Sequence, residues 1–531
     1  MTFDVWPSHR DLRETYLPAF RAAVREAKVA SVMAAYNRLY GDPCCASRLL
    51  LEEILRKEWG FEGFVVSDGG GFDFVHGNHM VSCGPAETVA MSFRNGCDME
   101  LGNVCEKGLG AALERGLLTA ADLDRCLRHS LTILFRLGFF DADGGPYAAT
   151  PYRVVGCREH RELALEMARQ SLVLIKNENR LLPLSRDLAN VAVIGPNADS
   201  RAVLIGNYNG IPARQITALQ GIQDLAGEAT RIWFAQGCDL TDKPVFFAFG
   251  PKERNLSEAV AAAKRSAVAI LCLGLDPTME GENGDPEADE TDAGGDRRTL
   301  DLPKSQQELL RAIRATGTPV VLVLFGGSPV TGVYQHADAV IQAFYPGEAG
   351  GQALAEVLFG DVNPAGRLPV TIPQSTEQLP PFADYQMRGR TYRFMAETPA
   401  YCFGHGLSYT TFEYTDVALS RAHIQAGQTV ELSVRVRNTG PRAGDEVVQV
   451  YLRDVEASVP VPRVKLCGAT RISLAPGEQK SVSVHIPEQA FQAYDDKGAP
   501  RIETGVFELF VGGGCPRQEG VRGQWTSLTV T

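Results

Sequence analysis

Short apolar runs that stop at a glycine or a turn alternate with helix-patterned stretches from about residue 29 to residue 345, and this alternation constrains the fold more than any other feature. "KVASVMAAYN", "GFEGFVVSD" and "NGCDMELGN" come first; "SLVLIKN", "NVAVIGP", "RIWFAQG", "VAILCLGL", "PVVLVLFGG" and "DAVIQAFY" follow. Strand and helix in alternation make βα units, and βα units make parallel sheets covered by helices. Ligands of such sheets collect at the carboxyl ends of the strands, where the loops form the free concave surface. The stretch "GFVVSDGGGFDFV" delivers Asp68 to that place, at the end of a run that reads as a strand covered on both faces.

Three textures divide the chain. Residues 1–150 carry three strand-like runs. A Ser8-to-Asp11 capping box opens a helix that Pro18 should kink. Residues 151–400 repeat the alternation more fully and read as an α/β sandwich, with a second capping box expected from Ser305 and Glu308. Residues 401–531 change period: in "TVELSVRVR" the residues Val430, Leu432, Val434 and Val436 alternate with polar ones, as in the inward faces of a β-sandwich with a bracing role. The turn "VAVIGPNADS" lacks the second and third glycines of a dinucleotide fingerprint, and "FGGSPV" around Ser328 is not a nucleophile elbow.

Composition removes several classes of partner. A formal charge of −12 does not suit nucleic acid or an anionic membrane. No stretch of 18 apolar residues is present, and "MTFDVWPSHRDLRETY" shows no secretory pattern, so a cytoplasmic location is expected. Twelve scattered cysteines, including the adjacent Cys44 and Cys45, read as reduced structural thiols.

The chemistry-bearing candidates are carboxylates. Beyond "VAILCLGL", Glu280 and Glu282 straddle Gly281 on a glycine-rich loop. A carboxylate fixed at a strand end and another on a loop are the groups that glycosidic cleavage uses. On spacing alone an acidic loop reads more readily as solvated surface, and a strand-end Asp as a cap. Asp285, Glu287 and Asp289 alternate like calcium ligands, but Glu290 stands where such a loop needs glycine and no closing bidentate Glu follows. No metal and no cofactor are expected.

The blocks "DLRETYLPAF", "SVMAAYNRLYGDPC", "EEILRKEWGFEGFVVSD", "LVLIKNENRLLPL", "VAVIGPNAD", "YPGEAGGQALAEVLFGDVNPAGRLPVT" and "FGHGLSYTTFEY" resemble, in order, the retaining β-glycosidases of glycoside hydrolase family 3. The resemblance implies a (β/α) barrel, an α/β sandwich and a fibronectin type III-like domain, and hydrolysis of β-linked glucosyl or xylosyl residues in an oligosaccharide or glycoside. It implies Asp68 as nucleophile, Glu282 as acid/base with Glu280 as the fallback, and Met33 and Tyr36 in the sugar subsite. Two departures stand out. Gly69 occupies a position where the family commonly has a bulky residue. Only the C-terminal portion of a barrel fits in residues 1–150, since eight βα units need roughly 250 residues. The strands expected to carry the family's Lys-His pair are therefore missing, and the open edge calls for a homo-oligomer or a chain completing the barrel. The alternative reading is a truncated, inactive or accessory protein that binds partners or carbohydrate.

Overall fold

The computed structural model describes residues 2–242, 252–281 and 297–531, which form two compact units. Residues 1–154, with 381–387 and 494–501, make the first.

Its centre is a three-stranded parallel sheet in the order Ser31–Ala34, Phe64–Gly69, Met99–Leu101. The helix Leu49–Glu58 connects the first two strands, and Gly71–His76 and Pro85–Arg94 connect the second to the third. One face is closed: Val65 and Ser67 are fully buried against a cluster that includes Ile54, Phe72, Val89 and Val104. The other face is open. Met33 is 56% exposed and Leu101 60%, beside half-covered Phe64, Val66 and Asp68. The expectation of cover on both faces therefore fails in this unit. In a βα barrel the second face looks into the barrel interior, and three strands enclose none. The helix Ala120–Arg136, opened by a complete Thr119–Asp122 capping box, likewise leaves Leu127, Leu131 and Phe135 exposed along one stripe.

Near the start of the chain, Ser8 Oγ accepts from the Asp11 amide, but the reciprocal bond of a capping box is absent because Asp11 Oδ2 accepts from the Met387 amide. The expected kink is a full break: bonding changes to i→i+5 over Leu12–Tyr16, and Pro18 starts a new helix, Pro18–Arg25.

The second unit contains a six-stranded sheet and two smaller ones. The six strands run in the order Val173–Asn177, Ala339–Phe344, Val320–Phe325, Val268–Gly274, Asn190–Ile194, Arg231–Ala235. Five are parallel, and Val173–Asn177 joins the edge antiparallel. Separate apolar clusters lie on the two faces, so the central strands are buried throughout. The helix Lys304–Arg314 is not capped by the expected Ser305–Glu308 box: Asp242 accepts from the Lys304 and Ser305 amides instead. Beyond Phe412 a three-stranded and a five-stranded sheet enclose Leu432, Val434, Val450 and Leu509, the expected β-sandwich.

Two packing features generate tests. The helices Ala218–Leu225 and Gly350–Phe359 cross so closely that a Cβ on Gly351 would lie 1.9 Å from the Thr217 carbonyl oxygen. Backbone cannot yield cheaply there, and overpacking costs about 1–3 kcal/mol. Gly351→Ala is expected to lower the thermal midpoint by several degrees in calorimetry, whereas Gly317→Ala, with open space around it, pays only for its positive φ.

The buried His405 Nε2 lies 2.9 Å from the Ile175 carbonyl, and burial pulls its pKa down to about 4. A folded-state value below the ordinary 6.5 means that this contribution is complete above pH 6.5 and is lost as pH falls toward 4. The shift corresponds to roughly 3 kcal/mol. Denaturant titrations from pH 7.5 to 4.5 should show the loss, and His405→Gln should flatten it.

Candidate active site

The segment from Gly63 to Gly71 is shaped by a bulge. Val66 pairs with Met99 and Gly69 with Leu101, so Asp68 falls within an irregular step of the ladder. Ser67 repairs the gap: its buried Oγ accepts from the Leu101 amide at 3.1 Å and donates to the Asp68 carbonyl at 2.9 Å. Such a bulge re-aims one side chain while the strand continues. Asp68 is half-buried, and its Oδ1 accepts from the Gly69 amide at 2.7 Å.

The glycines that follow have separate reasons. Gly70 takes φ 73° at the start of the helix Gly71–His76, a region that side chains disfavour. A Cβ on Gly71 would stand 3.3 Å from Ser67 Cβ. Gly69 has ordinary contact distances, 3.7 Å to Tyr36 Oη, so nothing in its surroundings demands glycine.

Met33 lies opposite Val66 in the neighbouring strand, on the open face. Tyr36 donates to the Gly69 carbonyl at 2.5 Å and rests on Phe74 at 5.0 Å between ring centroids. The structure thus brings Asp68, Met33 and Tyr36 to one end of one sheet.

A residue not singled out from sequence holds this sheet in place. The Asp98 carboxylate, with no solvent contact, accepts from the Val65 amide at 2.8 Å and from Arg56 at 2.5 Å, and its other oxygen lies 2.7 Å from His129 Nδ1. These partners come from the strand carrying Asp68 and from two helices. The only trace in the sequence is a single Asp between Cys97 and Met99, in a stretch otherwise apolar enough to be buried.

In the second unit, Glu280 follows the strand Val268–Gly274. Its carboxylate accepts from the Gly327 and Ser328 amides, both at 2.7 Å, and from the Tyr345 hydroxyl at 2.5 Å. Burial, and then the bond to Glu280, raise the Tyr345 phenol. Asn207 donates to the Glu280 carbonyl at 2.9 Å. Burial lowers the nearby Arg297 guanidinium while the Glu280 charge opposes that shift. Glu282, with Asp285, Glu287, Asp289 and Glu290, lies outside the described residues. Among the described residues no group of three or more His, Cys, Asp or Glu is placed to hold a metal ion.

Family models match three stretches: the glycosyl hydrolase family 3 N terminal domain over residues 4–133, the family 3 C-terminal domain over 172–409 and a fibronectin type III-like domain over 446–515. A β-xylosidase of Formosa agariphila is 37% identical over 527 residues, covering 95% of this chain and 70% of its own length. The periplasmic β-glucosidase of Salmonella typhimurium is 35% identical, with 95% and 68% covered. Among solved structures, a β-glucosidase from Erythrobacter marinus superposes with a TM-score of 0.87 at 35% identity, covering 99% of this chain and 71% of that one.

Removing the Asp98 carboxylate leaves the Val65 amide without its acceptor and the largely covered Arg56 guanidinium without its counter-charge, although Arg56 Nη1 keeps the Phe61 and Gly63 carbonyls; breaking such a pair costs about 3–5 kcal/mol. Asp98→Ala is expected to lower the unfolding free energy by that amount in urea titration. Asp124→Ala, on the exposed side of the Ala120–Arg136 helix, should change it little.

Proposed function

Because the chain belongs to glycoside hydrolase family 3, we infer that it is a β-glycosidase acting on terminal β-linked glucosyl or xylosyl residues. The observation that carries the mechanism is Asp68, a carboxylate set in a bulge at the carboxyl end of a parallel strand. Its role is to attack the anomeric carbon, forming a glycosyl-enzyme that water then hydrolyses. Met33 and the anchored ring of Tyr36 are assigned to the sugar subsite.

Proton donation to the leaving oxygen is assigned to Glu282. Glu280 already accepts three hydrogen bonds and is assigned the anchoring of the segment that precedes it. Glu280 stays the fallback donor. In a retaining pair the carboxyl groups act from about 5–5.5 Å apart.

The open sheet face and the exposed stripe of the Ala120–Arg136 helix support completion of the barrel by further βα units, either N-terminal to this sequence or on a second chain. The chain spans about 70% of the length of the relatives it matches. With three βα strands in place of the eight of a closed barrel, this unit is expected to offer a sugar fewer positioning donors and acceptors, and such positioning supplies several kcal/mol of catalysis. The same face favours the second reading, a binding protein without turnover.

Hydrolysis of chromogenic β-glucoside and β-xyloside separates them. The 531-residue chain alone should turn over poorly or not at all, and the chain joined to a barrel front should be active. In the joined protein Asp68→Asn should abolish activity. Glu282→Gln should lose about 10²–10⁴-fold on poor leaving groups and keep turnover on activated aryl glycosides. An inactive joined protein would favour the second reading; full activity of the chain alone would remove the need for further strands.

A further inference from the structure

Two cysteines that the glycosidase reading leaves unused meet where the α/β sandwich joins the β-sandwich. Cys402 lies within the segment that closes the sandwich, and Cys515 follows the strand Gly505–Gly512. Both are fully buried in one cluster with Tyr392, Tyr451, Val464 and Phe510.

Hydrogen bonds fix the register between their segments. The Gln449 amide, itself buried, donates to the Gly404 carbonyl at 3.0 Å and to the Gly513 carbonyl at 3.2 Å, so one side chain clamps the two backbones together. Its Oε1 accepts from Tyr451 Oη at 2.7 Å, which sets the amide's orientation. Two residues outward on each side stand Cys402 and Cys515. A second clamp lies there: the Cys402 amide donates to Gln518 Oε1 at 2.8 Å, and the Gln518 amide donates to the Cys515 carbonyl at 3.0 Å. Gly514 approaches the Gly404 carbonyl so closely that a Cβ would lie 3.3 Å from its oxygen.

We propose that Cys402 and Cys515 form a redox-dependent disulfide that staples the β-sandwich to the α/β sandwich when a small-molecule disulfide is in excess. The chemistry is thiol–disulfide exchange. The Cys402 thiolate attacks one sulfur of the oxidant, forming a mixed disulfide and releasing one thiolate. Cys515 then attacks the Cys402 sulfur and releases the second. Two protein protons pass to the two released thiolates, so two protein thiols and one small disulfide become one protein disulfide and two small thiols. The order of attack follows the local electrostatics. The Cys515 thiol hydrogen-bonds to Cys402 and, against the opposing effect of burial, helps hold it below its ordinary pKa, with the Arg517 guanidinium adding to this. The same hydrogen bond and burial raise Cys515. Arg517 is itself fixed, its Nη1 donating to the Tyr392 carbonyl at 2.6 Å. Because both sulfurs are buried, exchange proceeds through local opening of the turn at residues 513–518.

The bond closes a loop of more than a hundred residues, so it restricts the unfolded chain strongly. The test incubates the reduced 531-residue chain with excess oxidised glutathione, alkylates the remaining thiols and maps peptides without reduction. The expected result is a cross-linked Cys402–Cys515 peptide pair and two fewer alkylated cysteines than the twelve in the sequence. The thermal midpoint should rise by about 5–10 °C. Cys515→Ala should fold, keep its reduced midpoint within a few degrees and show no rise on oxidation. Mapping of the unsubstituted chain decides the matter even if that variant misfolds. Alkylation of both residues after oxidation, a stable glutathione adduct on Cys402, or pairing of either with another cysteine would overturn the proposal.

Discussion

One carboxylate with no solvent contact holds the strand that ends at Asp68, the proposed nucleophile. Asp98 binds the Val65 amide, Arg56 and His129, and so locks a strand and two helices to a single point three residues before Asp68. A strand that slips by one residue turns every side chain to the opposite face. With Val65 pinned, Ser67 must face the helices and Asp68 the open side. The bulge then adjusts Asp68 without disturbing that register, because Ser67 Oγ supplies the bond that the irregular ladder cannot. The glycine-rich stretch noted in the sequence completes the device: Gly70 provides the positive φ, and Gly71 fits against Ser67.

The parts of this arrangement that depend on local pattern were legible. Each apolar run expected as a strand in the sandwich is one, since a short buried run ending in glycine has few other solutions in a folded chain. The position of Asp68 at a strand end followed from the same pattern. What escaped was tertiary. The cap of Lys304–Arg314 comes from Asp242, 62 residues away, and a nearer Ser-x-x-Glu pattern gave a false signal. A kink at Pro18 was visible, but neither that it would be a full break nor that Asp11 would turn to the Met387 amide rather than close its own box. Cover on both faces was inferred from an apolar run that serves, in this unit, one covered face and one open one. Asp98 left almost no trace, because a lone buried acid is recognisable only once its three partners are in place.

The second unit applies a similar logic to a domain junction. Arg367 and Glu446, both nearly inaccessible, join the sandwich to the β-sandwich at 3.1 Å, and Arg367 also donates to the Gly366 carbonyl. Burial raises the Glu446 carboxyl, and the guanidinium opposes this. A buried pair of this kind adds little net stability compared with apolar packing, yet breaking it is costly, so its effect is to define one geometry of the junction. Gln449 acts on the same junction through neutral hydrogen bonds. The third module thus meets the α/β sandwich through specific polar contacts and is closed around its own apolar core.

The central claim is that the carboxylate presented by this bulge forms the covalent bond to the sugar. Its most direct test is trapping with an activated 2-deoxy-2-fluoro glycoside, using the chain joined to a barrel front, followed by protease digestion and mass mapping. The account predicts one glycosyl adduct, carried by the peptide containing Asp68 and localised to that residue by fragmentation. An adduct on Glu280, Glu282 or any other carboxylate, in a protein that turns over substrate, would contradict it.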